Sequence, residues 1–319
     1  MRSTEFVHAA SDGHPVFVRR WSPDGSPRAI LLIFHGMAEH SARYERFADV
    51  MTQAGWAVYA PDLRGHGKTA ALGEIGWIAE RDGLGRIRED LRGIADFAVR
   101  EQGGVPLFVF GHSMGSLVAE TYIASDSSGL SGCVLSGVIA PPPPALLAVG
   151  RLIAAVGILI KGGRAKSPLL HGMSFSANNR YFSPVRTPCD WLSRDAAEVD
   201  KYVADPLCGF VCSFAFYRDL FAGLSLYLAR SPFAGVGKDL PVYVIAGAED
   251  PIGGAKGFVP LLAERLRAAG VRSVDTRLYP GARHETLNEV NRDEVMEDVK
   301  EWLESRLASA AAPPRPAAP

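Results

Sequence analysis

Cysteine is scarce, with four residues (Cys133, Cys189, Cys208 and Cys212) in a chain of 319. They are too few for the disulfide framework of a small secreted domain and lack the histidine pairing of a zinc site. A reducing compartment, the cytoplasm, is therefore expected, with neither metal nor cofactor. An excess of one charge is missing as well: 34 Lys and Arg against 35 Asp and Glu leave a formal net charge of -1. That balance gives no general attraction to nucleic acid or to an anionic membrane. The first residues, MRSTEFVHAASDG, hold no apolar run of the kind a signal peptide requires. The most apolar stretch, Ala145 to Ile160, is interrupted by Arg151 and falls short of a span of roughly 20 residues. It reads as a cap helix or an interfacial segment. No internal repeat is present.

Against these absences stands a regular alternation. Short runs rich in β-branched and aromatic residues recur at Ala29 to Phe34, Ala57 to Ala60, Leu107 to Phe110, Gly132 to Leu135, Val242 to Ala246 and Val274 to Tyr279, and they read as strands. Helical faces lie between them: Tyr44, Phe47, Ala48 and Met51; then Leu84, Ile87, Leu91, Ile94 and Phe97; and near the end Val295, Val299, Trp302 and Leu303. Strands alternating with helices imply a parallel sheet. The segments around Phe6 and Val16 to Trp21 fit an antiparallel edge hairpin.

The rhythm stops at the four prolines from Pro141 and resumes at Pro241, since proline continues neither a helix nor a central strand. The segment between is apolar, helical and rich in turns. The expected organisation is a core of residues 1–140 and 236–308, a mainly helical cap inserted at 141–235, and a disordered proline-rich tail at 309–319.

Gly111-His112-Ser113-Met114-Gly115 follows one strand directly and precedes the helical stretch SLVAETYIA. A sharp strand-to-helix turn strains the serine, and the flanking glycines leave room where a Cβ would strike backbone. The pattern alone also fits an ordinary turn; its placement favours a nucleophile. A serine hydroxyl needs a base, and a histidine base needs a third group to fix its tautomer. Adjacent carboxylates, Glu249 and Asp250, follow the strand Val242 to Ala246, and His284 follows Val274 to Tyr279. Both positions are carboxyl ends of strands, where parallel sheets gather their sites, in the chain order serine, acid, histidine. Of the eight histidines, only His284 follows the last strand. The loop His35-Gly36-Met37 and the start of the helix after Ser113 offer backbone N–H groups, those of Met37 and Met114, for a developing oxyanion. Asp62 to Gly67 reads as a structural turn. Cys208 and Cys212, four apart, fit one helix face in the inserted segment and read as buried small hydrophobes, with Cys208 also a candidate pocket residue.

The segments HGMAEHSARY, PDLRGHGKT, GHSMGS, DPLCGF, GAEDP and GARHETLNE, in this order, resemble the monoacylglycerol lipase and lysophospholipase branch of the α/β-hydrolases. The likeness runs from about Phe6 to Leu307. It implies an α/β-hydrolase fold, a mostly parallel eight-stranded sheet flanked by helices with an inserted cap. It also implies a triad of Ser113, Asp250 and His284, an oxyanion hole of Met37 and Met114, and Glu39 and Arg43 as contacts for a substrate headgroup. An ion pair holding the loop is the alternative for Glu39 and Arg43. Leu287 departs from the pattern, because some members carry a second histidine there, near the alcohol group.

The expected activity is that of a serine carboxylic ester hydrolase on monoacyl lipid esters, acting through an acyl-enzyme. A peptidase or amidase with the same triad and a ligand receptor on a hydrolase scaffold are the alternatives. Apolar residues surround nearly the whole circumference of Ala145 to Ile160. Part of that surface, with Leu152 and Ile153, is expected to face an acyl tunnel, a membrane or micelle, or a second copy in a homodimer.

Overall fold

Runs of β-branched and aromatic side chains with no polar interruption suit strands covered on both faces. The computed structural model describes residues 1–70 and 74–311. Its strands are β1 (Arg2–Ala9), β2 (Pro15–Ser22), β3 (Ala29–Phe34), β4 (Trp56–Pro61), β5 (Leu107–His112), β6 (Leu130–Ser136), β7 (Val242–Gly247) and β8 (Val274–Tyr279). They form one sheet in the order β1-β2-β4-β3-β5-β6-β7-β8. The β1–β2 and β2–β4 pairs are antiparallel and all others parallel, which is the α/β-hydrolase arrangement. β3 to β7 are covered on both sides apart from the first residues of β6.

Residues alternate across each strand, so β3 sends Ile30, Leu32 and Phe34 to one core and Leu31 and Ile33 to the other. Helices α1 (Glu45–Gln53), α2 (Gly83–Glu101) and α3 (Met114–Ser125) follow β3, β4 and β5 in the chain. Phe47 and Met51 of α1 enter one core, and Ile87, Leu91 and Leu117 of α2 and α3 enter the other. α3 is buried around most of its circumference. Glu120 on it is sealed, and its carboxyl accepts a hydrogen bond from the Tyr227 hydroxyl. Burial raises that carboxyl to a pKa of about 8.

Between β6 and β7 the chain forms α4 (Pro144–Lys161), α5 (Pro168–Ser174), α6 (Ala196–Ala204) and α7 (Phe214–Leu224), and it adds no strand to the sheet. α4 seats its small residues on α7: a Cβ on Gly150 would lie 2.9 Å from the Phe221 ring, and one on Gly157 would lie 2.2 Å from Phe214. Only Leu147, Gly150 and Ala154 of α4 are fully buried. The helix is 18 residues long and, by length and composition, could cross a membrane. That differs from the sequence expectation: the helix runs one residue further at each end than the apolar stretch, and one arginine is not enough to break it. α8 (Phe258–Ala268) and α9 (Arg292–Ala311) complete the layers.

Two further expectations are corrected. α9 continues to Ala311, into the segment expected to be a disordered tail from residue 309; residues 312–319 lie outside those described. Cys208 and Cys212 share no helix. They lie in the loop between α6 and α7, where the backbone hydrogen bonds run from Cys208 to Asp205 and from Gly209 to Ala38.

Candidate active site

β5 delivers Ser113 and α3 begins at the next residue. Ser113 has φ 54° and ψ −119°, a left-handed conformation that costs a non-glycine residue on the order of 1–3 kcal/mol. Its surroundings hold it there: the Ser113 N–H donates to Ser136 O at 2.9 Å, and its carbonyl accepts from the Ser116 N–H at 2.9 Å and the Ser116 hydroxyl at 2.6 Å. The turn also needs its glycines. A Cβ at Gly111 would come within 2.4 Å of Gly115 O, and one at Gly115 within 2.0 Å of Phe34 O.

The loops after β7 and β8 bring together the acid and the histidine that the sequence separates by 34 positions. His284 Nδ1 lies 2.9 Å from Asp250 Oδ2, and Asp250 Oδ1 accepts from the Ile252 N–H at 2.9 Å. Glu249 is exposed, so of the two adjacent carboxylates Asp250 makes this contact. Asp250 and His284 are 0% and 1% exposed. Burial pushes the His284 pKa down, but Asp250, with smaller contributions from Glu285 and Glu39, outweighs it and holds the imidazole above its ordinary value. His284 Nε2 is buried and has no hydrogen-bond partner among the described residues. Its ring lies 4.8 Å from that of His112 and 5.0 Å from Trp191. His112 is itself pulled down to a pKa of about 4, by burial first and then by His284, so the neighbouring ring is neutral at physiological pH.

Two backbone donors frame the serine. Among the described residues neither the Met37 nor the Met114 N–H has a hydrogen-bond acceptor. Met114 opens α3, where free N–H groups and the helix dipole favour an anion. Met37 sits in a loop fixed from both sides. His35 Nε2 accepts from the Leu63 N–H at 2.9 Å, so Nδ1 carries the proton and donates to Gly36 O at 2.8 Å. Ala38 takes a positive φ of 55°, and its carbonyl accepts from the Gly209 N–H at 2.9 Å and the Tyr202 hydroxyl at 2.7 Å.

The turn after β4 supports the same loop. Asp62 Oδ1 accepts from the Ser41 N–H at 2.8 Å, and Arg64 pairs with Asp90 and Asp12. His66 is sealed, and burial lowers it to a pKa of about 3.

A cavity of about 740 Å³ opens above Ser113 and His284. Leu146, Gly150, Leu169, Met173, Phe221 and Leu224 supply its apolar wall, and Asn178, Arg180 and Lys256 line it elsewhere. Of the expected substrate contacts, only Glu39 lines this cavity. Arg43 does not, because its guanidinium is engaged by Glu39 and Glu285. Leu152 and Ile153 do not either. α4 turns Leu146 and Gly150 inward, which at about 100° per residue points Leu152 to solvent at 63% exposure. Ile153 packs, partly buried, against the main core. Cys208 clusters with Trp191 and Tyr202, which line the cavity, but is not itself among the lining residues.

Sequence reading missed Trp191, whose ring lies tilted beside that of His284, and Glu285, the residue after His284. The signal for Glu285 was a charged residue directly after the catalytic candidate. His40, Asp205 and Cys208 place three ligand-type atoms within 4.8 Å of one another. His40 Nε2 is bonded to Asp205 at 2.9 Å, and burial raises the Cys208 pKa well above the usual thiol range, opposing the thiolate a metal needs.

Comparison with known proteins gives a consistent result. The profile of the family described as serine aminopeptidase, S33, matches residues 25–291. A monoacylglycerol lipase of Mycolicibacterium smegmatis is 30% identical over 311 residues, covering 95% of this chain and 98% of that protein. A human monoglyceride lipase is 28% identical over 310 residues, covering 95% and 92%. Among solved structures, a thermostable carboxyl esterase from Bacillus coagulans in complex with glycerol superposes with a TM-score of 0.87 at 28% identity, covering 96% of this chain and 99% of that one. A soluble variant of the Saccharomyces cerevisiae monoglyceride lipase with a substrate analog, at TM-score 0.73 and 23% identity over 96% and 94% of the two chains, shares the fold.

Proposed function

The chain belongs to the serine aminopeptidase S33 family of α/β-hydrolases, and from that premise we propose that it is a serine ester hydrolase cleaving monoacyl lipid esters, monoacylglycerols or lysophospholipids, through an acyl-enzyme on Ser113. The observation that carries this reading is the strained Ser113, beside an Asp250–His284 pair, at the floor of a 740 Å³ cavity with an apolar wall. His284 Nε2 takes the proton from Ser113 Oγ as the oxygen attacks the ester carbonyl, while Nδ1–H donates to Asp250 and fixes the tautomer. The Met37 and Met114 N–H groups bind the tetrahedral oxyanion. The protonated His284 then hands its proton to the departing alcohol, and water, activated by the same imidazole, releases the fatty acid.

Residues 141–235 form a cap over this floor. The acyl chain lies along the wall of Leu146, Leu169, Met173, Phe221 and Leu224, where each methylene withdrawn from water contributes about 0.8 kcal/mol. The outer surface of α4 rests on the membrane or micelle that supplies the substrate. A second copy covering the same surface is the competing occupant, and it would show as a dimer in sedimentation. The aminopeptidase activity in the family's description would call for a free carboxylate to meet a substrate amine. Glu39 and Glu285 are the acidic side chains at the floor besides Asp250, and both are spent on Arg43.

The test is a rate profile across p-nitrophenyl esters from acetyl to palmitoyl, alongside monoacylglycerol, diacylglycerol, lysophospholipid and aminoacyl anilide. We expect kcat/KM to rise several-fold per two added carbons until the wall is filled, with anilide turnover negligible. A maximum at acetyl, or anilide cleavage matching ester cleavage, would overturn the lipid assignment. A stoichiometric burst with no steady turnover would mark a receptor instead.

A further inference from the structure

We propose that Arg43 is a positioning residue that locks the loop carrying one oxyanion donor to the loop carrying the general base, through Glu39 on one side and Glu285 on the other. The proposal rests on the roles given above to Met37 and His284. The bonds form a continuous chain. The Gly36 N–H, one residue before Met37, donates to Glu39 Oε1 at 2.5 Å, and the Tyr44 hydroxyl donates to the same oxygen at 2.9 Å. Glu39 Oε2 accepts from Arg43 Nη1 at 2.6 Å. Arg43 then grips Glu285 with both terminal nitrogens, Nη1 to Oε1 and Nη2 to Oε2, each at 2.6 Å. Glu285 is the residue after His284, and its own N–H donates to Leu192 O at 2.8 Å.

Position and burial exclude Arg43 as a headgroup contact. The side chains of Arg43, Glu39 and Glu285 are 12%, 4% and 7% exposed. The Tyr202 ring lies 4.8 Å from the guanidinium carbon and covers one face of it, and Arg43 is absent from the lining of the cavity over Ser113. A planar fork meeting one carboxylate with two parallel bonds fixes both distance and orientation, which an ammonium cannot do. Removing it strands two buried carboxylates that must then repel or take up protons.

The same chain carries an electrostatic consequence. The groups facing His284 are Asp250, Glu285, Glu39, the neutral His112 and the Trp191 ring. The carboxylates hold the imidazole above its ordinary pKa, so neutralising Glu285 must lower it. Catalysis needs neutral imidazole, so the acid limb of kcat/KM then moves to lower pH.

The test compares Arg43→Met, Arg43→Lys and Glu285→Gln in the full chain. Turnover is measured on p-nitrophenyl butyrate per serine titrated with a fluorophosphonate, together with KM, the pH profile and the melting temperature. Arg43→Met is expected to lower kcat about 10²-fold, the scale of one oxyanion donor, with KM within twofold. Arg43→Lys should recover part of that loss. Glu285→Gln, which keeps shape and volume, should lower kcat less and displace the acid limb downward. A merely structural brace would lower the melting temperature but leave kcat per titrated serine and the acid limb in place, which would overturn the proposal. A rise in KM at unchanged kcat would overturn it too, in favour of a headgroup contact. Should Arg43→Met fail to fold, the Glu285→Gln profile decides. Ser113→Ala serves as the control: turnover by that variant would fault the active-site reading and not the bridge.

Discussion

The floor of the cavity is sealed: Asp250, His284, Glu39 and Glu285 are 0%, 1%, 3% and 6% exposed. Asp250 and His284 hold each other across two loops, Glu285 is held across loops by Arg43, and Glu39 is held within its own loop by Gly36, Arg43 and Tyr44. On the outer face of α4, Leu152, Leu159 and Ile160 are 63%, 86% and 72% exposed, with none of the described residues covering them. Burying a polar group is costly unless its bonds are satisfied, so the floor has essentially one workable arrangement. Apolar surface has no directional demand, and its driving force scales with the area removed from water. A rigid floor suits chemistry, where a displacement of about 1 Å can cost 10²-fold in rate. A permissive roof suits a substrate that carries a flexible acyl chain.

The sharpest way to break this contrast is at the serine. Ser113→Ala should lower kcat by about 10⁶-fold while the melting temperature stays close to wild type, because one hydroxyl is removed from a backbone held by Ser136 and Ser116. Retention of a hundredth of the activity would dismiss Ser113 as nucleophile.

Next in size, Asp250→Asn keeps the shape of the floor but presents the wrong hydrogen-bonding partner to Nδ1, and should reduce kcat by about 10⁴-fold. A loss below tenfold would mean that Glu285 or Glu39 can orient the imidazole in its place.

The pH profile sharpens the electrostatic half of the comparison. His284 is held above its ordinary value of 6.5, and only the neutral form accepts the serine proton. The acid limb of kcat/KM should therefore lie above pH 6.5 and fall about tenfold per pH unit below it. A limb below 6.5, measured with folded protein and rate-limiting acylation, would show that burial and not Asp250 governs the base.

The smallest expected effects belong to the roof. Leu159→Asp with Ile160→Asp should leave p-nitrophenyl acetate turnover within twofold and weaken hydrolysis of dispersed monoacylglycerol several-fold, since about 25 cal/mol is lost per Å² of apolar contact. Leu152→Asp should behave in the same way. Equal losses on both substrates would instead mean that the cap had been damaged throughout.

Much of this was legible in the residues themselves. The strands and the Ser113 turn were written locally, because a strand covered on both faces shows as an uninterrupted run of β-branched and aromatic residues and an elbow needs glycines within two positions of the serine. The order of Ser113, Asp250 and His284 followed from motifs placed at strand ends. The choice between Glu249 and Asp250 was not local, since adjacent residues point in different directions and only the loop after β7 decides which one faces His284.

Composition showed that α4 was too apolar to hide completely. Helical phase against α7, set by where Gly150 and Gly157 meet Phe221 and Phe214, decided that Leu146 faces the cavity and Leu152 the solvent. The Arg43–Glu285 pair joins residues 242 positions apart. Nothing in either segment marks the other as its partner, because an ion pair is encoded by distance in space and not by any period along the chain. Sequence alone determined the fold and the chemical groups it delivers to the carboxyl edge of the sheet. The tertiary structure decided which carboxylate turns inward, which arginine is withdrawn from the substrate, and which face of the cap is left bare, since each depends on contacts between loops that meet only once the sheet has assembled.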